Sequence, residues 1–185
     1  MMDRKTLLIV LVSLVSMFTG TAMYLLSSFN SASPGLQPFQ TDVVKLETSP
    51  SLDAVPLIDL RGVSQTLGDW AQPVLVVNFW APWCVPCRRE IPDLIALQRE
   101  YGNRIQILGI AFDSVENIGL FADEYQMNYP SFLANQYIPM YSSVFKNNSG
   151  ALPFTAIIDQ NRKIEYTHTG IISLQTLRQK VSSLL

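Results

Sequence analysis

Residues 76–92 have the sequence VVNFWAPWCVPCRREIP, and the rest of the fold is predicted outward from this stretch. It begins inside a nearly continuous apolar run, 74–80, which is typical of a strand buried on both faces. It continues into 85–101, where apolar residues recur at helical spacing. The chain has two cysteines, Cys84 and Cys87, and both lie where the predicted strand gives way to the predicted helix.

Strand and helix patterns alternate along the rest of the chain. The last two predicted strands are separated by residues 160–162, a connection of hairpin length. Alternation followed by a hairpin and a final helix predicts an α/β fold, in which helices cover both faces of a mixed central sheet. The predicted strands are 55–60, 74–80, 105–112, 154–159 and 163–169, and the predicted helices are 85–101, 115–126 and 173–184.

The N-terminus has the pattern of a membrane anchor. Residues 6–26 are 21 residues without a charge, long enough at about 1.5 Å per residue to cross a hydrocarbon core of about 30 Å. Arg4 and Lys5 precede this segment and the next basic residue is Lys45, so the positive-inside rule leaves the N-terminus in the cytoplasm. The alternative is a signal peptide cleaved near Ala32, although the apolar region of a signal peptide is usually only about 7 to 15 residues long.

These patterns divide the chain into three segments. Residues 1–27 are predicted to be a signal-anchor helix, 28–50 a flexible linker rich in Ser, Pro, Gln and Asn, and 51–185 one folded domain. The formal net charge is −2, and no run of basic residues is longer than two. A nucleic-acid partner is therefore excluded, because a surface that follows phosphates needs clustered Lys and Arg.

The cysteine spacing points to redox chemistry. Unpaired backbone N–H groups and the dipole at a helix N-terminus favour negative charge, so Cys84 lies where a thiolate is stabilised. The thiolate is the attacking species, and a lowered pKa therefore activates it near neutral pH. Pro86 is tolerated early in a helix because its missing N–H would have no helical partner there. Two intervening residues allow Cys87 to attack the Cys84 sulfur and release a mixed disulfide.

The cysteine pair has three other interpretations. A purely structural disulfide that closes so small a loop would add little stability through loop entropy. A zinc site would need two further ligands, and the chain has one histidine, His168. Copper is harder to dismiss, because two soft thiolates and a remote histidine can hold it. The redox interpretation is the prediction, with no resident metal and no cofactor besides the redox-active disulfide of Cys84 and Cys87.

Residues 76–92 resemble the active-site segment of the thioredoxin-fold family. They are most similar to the TlpA/ResA/CcmG branch, which consists of bacterial membrane-anchored thiol-disulfide oxidoreductases. Residues 152–159, LPFTAIID, resemble the family's cis-proline loop, and a looser similarity extends from about Val55 to the C-terminus. This resemblance implies a thioredoxin fold for 51–185. The chain differs from the usual pattern of the branch at 147–150 and 160–162, so the resemblance does not predict the shape of the substrate-facing loop.

The resemblance also implies roles for individual residues. Cys84 matches the nucleophile and Cys87 the resolving thiol. Pro153 matches the cis-proline, which leaves the backbone of Leu152 free to pair with an extended substrate. The predicted substrate-binding residues are Trp83, as a flat apolar cap on the site, together with Pro86, Leu152 and Pro153.

Glu90 is the predicted acid–base residue. It follows Cys87 by three residues, so the two side chains share a helix face. A carboxyl whose pKa is raised by partial burial can take the Cys87 proton when that thiol must attack. Thioredoxins place an acid on the preceding strand, where this chain has Asn78, whereas the TlpA/ResA branch carries Glu on the helix. The alternative is a solvated Glu on the helix surface.

The predicted function is therefore that of a periplasmic protein thiol-disulfide oxidoreductase held in the bacterial inner membrane through residues 6–26. By resemblance it reduces specific protein disulfides, such as the cysteines of apocytochrome c or of copper-site proteins, and a membrane thiol-reducing protein supplies its electrons. Two alternatives stay open: an oxidant or isomerase in disulfide formation, and a copper-delivery protein that binds Cu(I) through Cys84 and Cys87. A peroxidase-like role is disfavoured by a C-x-x-C pair at a helix start.

Overall fold

The computed structural model describes residues 51–134 and 137–185. The predicted anchor at 1–27 and the predicted linker at 28–50 lie outside the described residues. Among those that are described, no helix is both long enough and apolar enough to span a bilayer.

The predicted strands and helices follow one another in the order that the sequence predicts, with two further strands and one further helix between them. Short 3-10 turns occur at Leu52–Ala54, Leu67–Asp69 and Gly102–Arg104. In chain order the elements are β1 (Pro56–Ile58), β2 (Ser64–Thr66), β3 (Val74–Trp80), α1 (Val85–Tyr101), β4 (Ile105–Ala111), α2 (Val115–Glu124), β5 (Ser131–Leu133), α3 (Ile138–Phe145), β6 (Phe154–Ile158), β7 (Ile164–Thr169) and α4 (Leu174–Ser182).

Five of the strands form one mixed sheet in the order β5-β4-β3-β6-β7. β3, β4 and β5 are parallel, whereas β6 and β7 are antiparallel and form the predicted hairpin. β3 is the central strand, and all seven of its residues are buried, as the continuous apolar run predicts. The mixed central sheet is confirmed.

Helices cover both faces of this sheet, which confirms that part of the predicted fold class. Val74, Val76 and Trp80 of β3 belong to one core, which also contains residues of α1, α2 and α4. Alternate residues Leu75 and Val77 belong to the second core, which contains α3 and part of the N-terminal hairpin. The two cores follow from the period of two in a strand, which sends neighbouring side chains to opposite faces.

The sequence patterns miss three elements and overextend several ends. β1 is shorter than the predicted strand 55–60 and pairs with β2 in a separate antiparallel hairpin that was not predicted. β5 and α3 were also not predicted. β5 has three residues, too few for a periodic pattern, and the N-cap of α3 makes no side-chain capping hydrogen bond. The helix predicted at 115–126 ends at Glu124, whereas the helix predicted at 85–101 has those bounds.

Candidate active site

Cys84 and Cys87 form a disulfide at the start of α1. Cys84 is the N-cap residue, and the backbone N–H of Cys87 donates to its Sγ over 3.3 Å. Both side chains are largely buried, with 5% of Cys84 and 1% of Cys87 exposed. After reduction, the Cys84 sulfur would lie at unpaired helix donors that stabilise a thiolate. The strand-to-helix junction therefore places the pair where the sequence predicts it.

An open groove of about 440 Å³ lies beside the disulfide. It brings together three of the four predicted substrate-binding residues, and its complete lining is Trp83, Cys84, Val85, Pro86, Gly150 and Leu152. Trp83 is 65% exposed, although its indole N–H donates to the carbonyl of Phe112 over 3.2 Å. The groove thus has an exposed aromatic rim whose indole N–H is hydrogen-bonded to the backbone. Val85 was not predicted because helical spacing does not show which residues face the groove, and Gly150 was not predicted because only the fold brings its loop next to Cys84.

The loop opposite Cys84 ends in a cis peptide bond between Leu152 and Pro153, the isomer that the resemblance implies. Leu152 lines the groove, whereas Pro153 is buried immediately before β6. Asn147 braces this loop: its Nδ2 donates to the carbonyl of Ala151 and its Oδ1 accepts from the Ala151 N–H, both over 3.0 Å. Gly150 has φ +62°, a conformation that glycine adopts readily. Residues 147–150, where the chain differs from the branch, therefore form a turn that is held by the buried side-chain amide of Asn147.

Glu90 lies in the second turn of α1, three residues after Cys87, and is buried, with 1% of its surface exposed. Its Oε1 accepts hydrogen bonds from Asn78 Nδ2 over 2.7 Å and from Thr155 Oγ1 over 3.3 Å. Its Oε2 accepts from the backbone N–H of Ile172 over 3.0 Å. The solvated helix-surface alternative is wrong, and burial is complete where the sequence suggested that it is partial. Asn78 and Thr155 are polar residues in otherwise apolar strands. Because buried polar groups need hydrogen-bond partners, this pattern could have indicated that the two side chains bind a buried acceptor such as Glu90.

The environment of Glu90 shifts its proton affinity towards neutral pH. Burial raises the pKa of Glu90 from 4.5 to about 7, and the hydrogen bonds from Ile172, Thr155 and Asn78 partly oppose this effect. The charge of Asp93 raises the pKa further. A carboxyl that titrates near pH 7 can both accept and return a proton at that pH. Cys87 precedes it by three residues on the buried face of the same helix.

Burial of Glu90 makes folding stability depend on pH. The pKa of this group is about 7 in the folded protein against 4.5 ordinarily, so the folded state binds more protons than the unfolded chain between these values. The contribution of Glu90 to stability is expected to be fully present below about pH 4.5 and to fall by about 3 kcal/mol as pH rises through about 7. Urea unfolding of the disulfide form at pH 4.5 and pH 8 measures this fall.

The matched variant for that measurement is Glu90→Gln, which cannot ionise. It should lose most of the fall between pH 4.5 and pH 8, whatever its absolute stability. Backbone hydrogen bonds hold the pKa of Asp59 and the pKa of Asp159 below the usual value for aspartate. Protonation of these two groups therefore changes stability mainly below pH 4.5. An equal fall in both proteins would show that Glu90 is not the group responsible.

The histidine considered for copper, His168, lies in β7 and is partly buried. Its Nε2 is 3.1 Å from the carbonyl oxygen of Ile171, and its Nδ1 is 3.4 Å from the hydroxyl of Tyr166. Within residues 51–134 and 137–185, no group of three or more His, Cys, Asp or Glu side chains is placed to hold a metal ion.

Two curated relatives match most of the chain. The thioredoxin-like protein YneN of Bacillus subtilis is 28% identical over 149 residues, which cover 78% of this chain and 85% of that protein. The thiol-disulfide oxidoreductase ResA of Geobacillus thermodenitrificans is 29% identical over 132 residues, 69% of this chain and 72% of that protein. The ResA branch of the resemblance is therefore confirmed.

A solved structure and a family model agree with these relatives. The thioredoxin-related protein from Neisseria meningitidis serogroup B is 31% identical, with a TM-score of 0.59, and the match covers 66% of this chain and 93% of that one. The model of the AhpC/TSA family matches residues 48–167, well over half of the 185 residues. The chain therefore belongs to the AhpC/TSA family of thioredoxin-like proteins and is a thiol-disulfide oxidoreductase.

Proposed function

We propose that this protein reduces specific protein disulfides outside the cytoplasm, with Cys84 as nucleophile, Cys87 as resolving thiol and Glu90 as acid–base residue. The observation that carries the proposal is the disulfide at the start of α1, with a buried carboxyl of near-neutral pKa on the same helix and an open groove beside the nucleophile. These three features are what a two-step exchange requires.

The proposed reaction has two steps and transfers two electrons. In the first, the Cys84 thiolate attacks one sulfur of the substrate disulfide, forms a mixed disulfide and releases the other substrate sulfur as a thiolate. In the second, Glu90 takes the proton of Cys87, whose thiolate attacks the Cys84 sulfur. The second substrate sulfur leaves, and Cys84 and Cys87 end as the disulfide. A reductant must then return two electrons to the pair.

The groove is proposed to hold an extended segment of the substrate. Trp83 and Pro86 border it on the side of α1, and Leu152 borders it on the side of the cis-proline loop. Pro153 has no N–H, and its cis bond to Leu152 leaves the Leu152 backbone for pairing with the substrate in this proposal. The exposed indole of Trp83 provides apolar contact area next to the reacting sulfur.

The reducing direction is supported by the electrostatics of the buried site and by the resemblance. Strong oxidants stabilise their reduced, thiolate form. Here the helix N-terminus favours a thiolate on Cys84, but the buried Glu90 carboxyl opposes a thiolate on Cys87, three residues before it on the same helix, because like charges in a buried site disfavour ionisation. By resemblance, a membrane thiol-reducing protein supplies the electrons, and the substrates are cysteines of apocytochrome c or of copper-site proteins. The anchor predicted at 6–26 would hold the domain at the periplasmic face of the inner membrane.

The reduction potential of the purified full chain tests the direction. The protein is equilibrated with glutathione or dithiothreitol buffers, and the oxidised fraction is read from the state of Cys84 and Cys87. We expect a value near or below that of thioredoxin, about −270 mV. A value near about −120 mV would instead identify an oxidant of protein thiols. Tight binding of one Cu(I) per reduced chain, with negligible exchange activity, would favour copper delivery.

A further inference from the structure

A row of polar residues crosses three strands of the sheet on the face that meets α1. Asn78 of β3 pairs in register with Thr155 of β6, and Thr155 pairs with His168 of β7. Directly paired residues on neighbouring strands point to the same face of a sheet. Asn78 and Thr155 both donate to Glu90, so His168 is the third member of a row that lies on the Glu90 side.

A single peptide unit joins His168 to Glu90. The Nε2 atom of His168 lies 3.1 Å from the carbonyl oxygen of Ile171, and a carbonyl oxygen only accepts, so Nε2 carries the proton of this hydrogen bond. The N–H of the same peptide unit belongs to Ile172 and donates to Glu90 Oε2 over 3.0 Å. The chain of contacts is therefore His168 Nε2–H to the Ile171 carbonyl, and the Ile172 N–H to the Glu90 carboxylate.

The neighbouring residues hold this peptide unit in place. Gly170 has φ +90°, which turns the chain out of β7, and its N–H donates to the carbonyl of Pro153 over 2.8 Å. Ser173 then caps α4 by accepting from the N–H of Thr176. The segment 170–172 is thus tied to the cis-proline loop at one end and to Glu90 at the other.

We propose that His168 is a positioning residue for Glu90, acting through the Ile171–Ile172 peptide unit. This inference rests on the proposed function of Glu90 and adds a residue to it. A donor on a peptide carbonyl polarises the peptide and strengthens the hydrogen bond made by its N–H. The imidazole therefore aims the Ile172 N–H at Oε2 and stabilises the ionised carboxylate, which is the form that takes the proton of Cys87.

Three other titratable groups bear on the same carboxyl. Asp93 lies on α1 and raises the pKa of Glu90. Tyr129, in the segment before β5, is buried, and its own pKa is raised by burial and by the charge of Glu90. Cys87 is in the disulfide and does not titrate in the oxidised protein. The oxidised protein therefore isolates the effect of His168 from that of the resolving thiol.

The test is the titration of the Glu90 carboxyl carbon by NMR in the oxidised full chain, with Glu90→Gln used to assign the signal. His168→Leu removes the donor, and its midpoint should rise by about 0.5 pH unit. His168→Gln keeps an N–H donor at a similar reach and should return the midpoint towards the wild-type value. The pH dependence of Cys87 attack in the reduced variants should move by the same amount as the titration.

Each result decides between the alternatives. A midpoint that does not move in His168→Leu, or that rises equally in His168→Gln, overturns the inference and leaves the proposed function of Glu90 intact. A midpoint that moves as expected while Glu90→Gln leaves the pH dependence of Cys87 attack unchanged refutes the role of Glu90 in the reaction. Movement of both the titration and the rate profile in His168→Leu, with recovery in His168→Gln, supports the inference.

Discussion

Cys84→Ser is expected to abolish disulfide exchange, whereas Cys87→Ser is expected to retain the first step and accumulate a mixed disulfide with the substrate. The reason is that Cys84 borders the groove and lies at the helix N-terminus, where a thiolate is stabilised. Cys87 is almost fully buried and reaches the Cys84 sulfur, as their disulfide shows. Insulin reduction in the presence of dithiothreitol measures the exchange rate, and a non-reducing gel detects the mixed disulfide after the reduced variant is mixed with insulin without dithiothreitol.

The two variants serve as controls for each other, because each removes one sulfur from the same helix turn. Cys84→Ser should bring the insulin assay to the rate of dithiothreitol alone and should trap no substrate. If Cys87→Ser were the variant that fails to trap, while Cys84→Ser accumulated the mixed disulfide, the assignment of nucleophile and resolving thiol would have to be exchanged.

Glu90→Gln is expected to slow the attack of Cys87 on the Cys84 sulfur by about 10²-fold at neutral pH, the lower end of the usual contribution of general acid–base catalysis. Gln has nearly the same size as Glu but cannot accept the Cys87 proton. The reaction can be isolated by forming a mixed disulfide of Cys84 with thionitrobenzoate. Attack by Cys87 then releases coloured thionitrobenzoate, which stopped-flow absorbance follows. The wild-type rate should show a transition near the Glu90 pKa of about 7, and the variant should lack it.

Glu100→Gln is the matched control, since Glu100 lies on the same helix. Its carboxylate is half exposed and pairs with Arg178 over 2.7 Å on the surface. Thionitrobenzoate release by this variant should equal that of the wild type. Equal pH profiles for wild type and Glu90→Gln would remove Glu90 from the proposed mechanism. This holds even if the absolute rates differ, since the Gln amide can contact the Ile172 N–H unfavourably and change the rate for that reason alone.

Local patterns in the sequence were enough to predict the central strand, the first helix and the position of the cysteine pair. The apolar run 74–80 and the helical spacing of 85–101 have the bounds of β3 and α1 as observed. Cys84 occupies the N-cap as a C-x-x-C at a strand-to-helix junction predicts, and the start of the last helix falls within one residue of its predicted position. Each of these features depends on residues within a few positions of one another, which is why periodicity and capping rules reach them.

The environment of Glu90 needed the tertiary structure. Its partners Asn78, Thr155 and Ile172 are 12, 65 and 82 residues away in the chain. No local period records such contacts, so helix spacing alone left Glu90 equally consistent with a solvated surface and a buried site. Burial is also what raises its pKa, and burial is decided by how α1 packs on the sheet.

The groove and the cis-proline loop show the same division between what the sequence determines and what only the tertiary structure decides. The sequence by itself determined the redox pair, the α/β alternation and the polar residues that interrupt apolar strands, because these are properties of neighbouring residues. Only the tertiary structure decided that Trp83 and Leu152 border one groove and that Asn147 braces the approach to Pro153. It also decided that His168 reaches Glu90 through one peptide unit. The physical reason is that hydrogen bonds and desolvation act between segments that only the packed sheet and helices bring together.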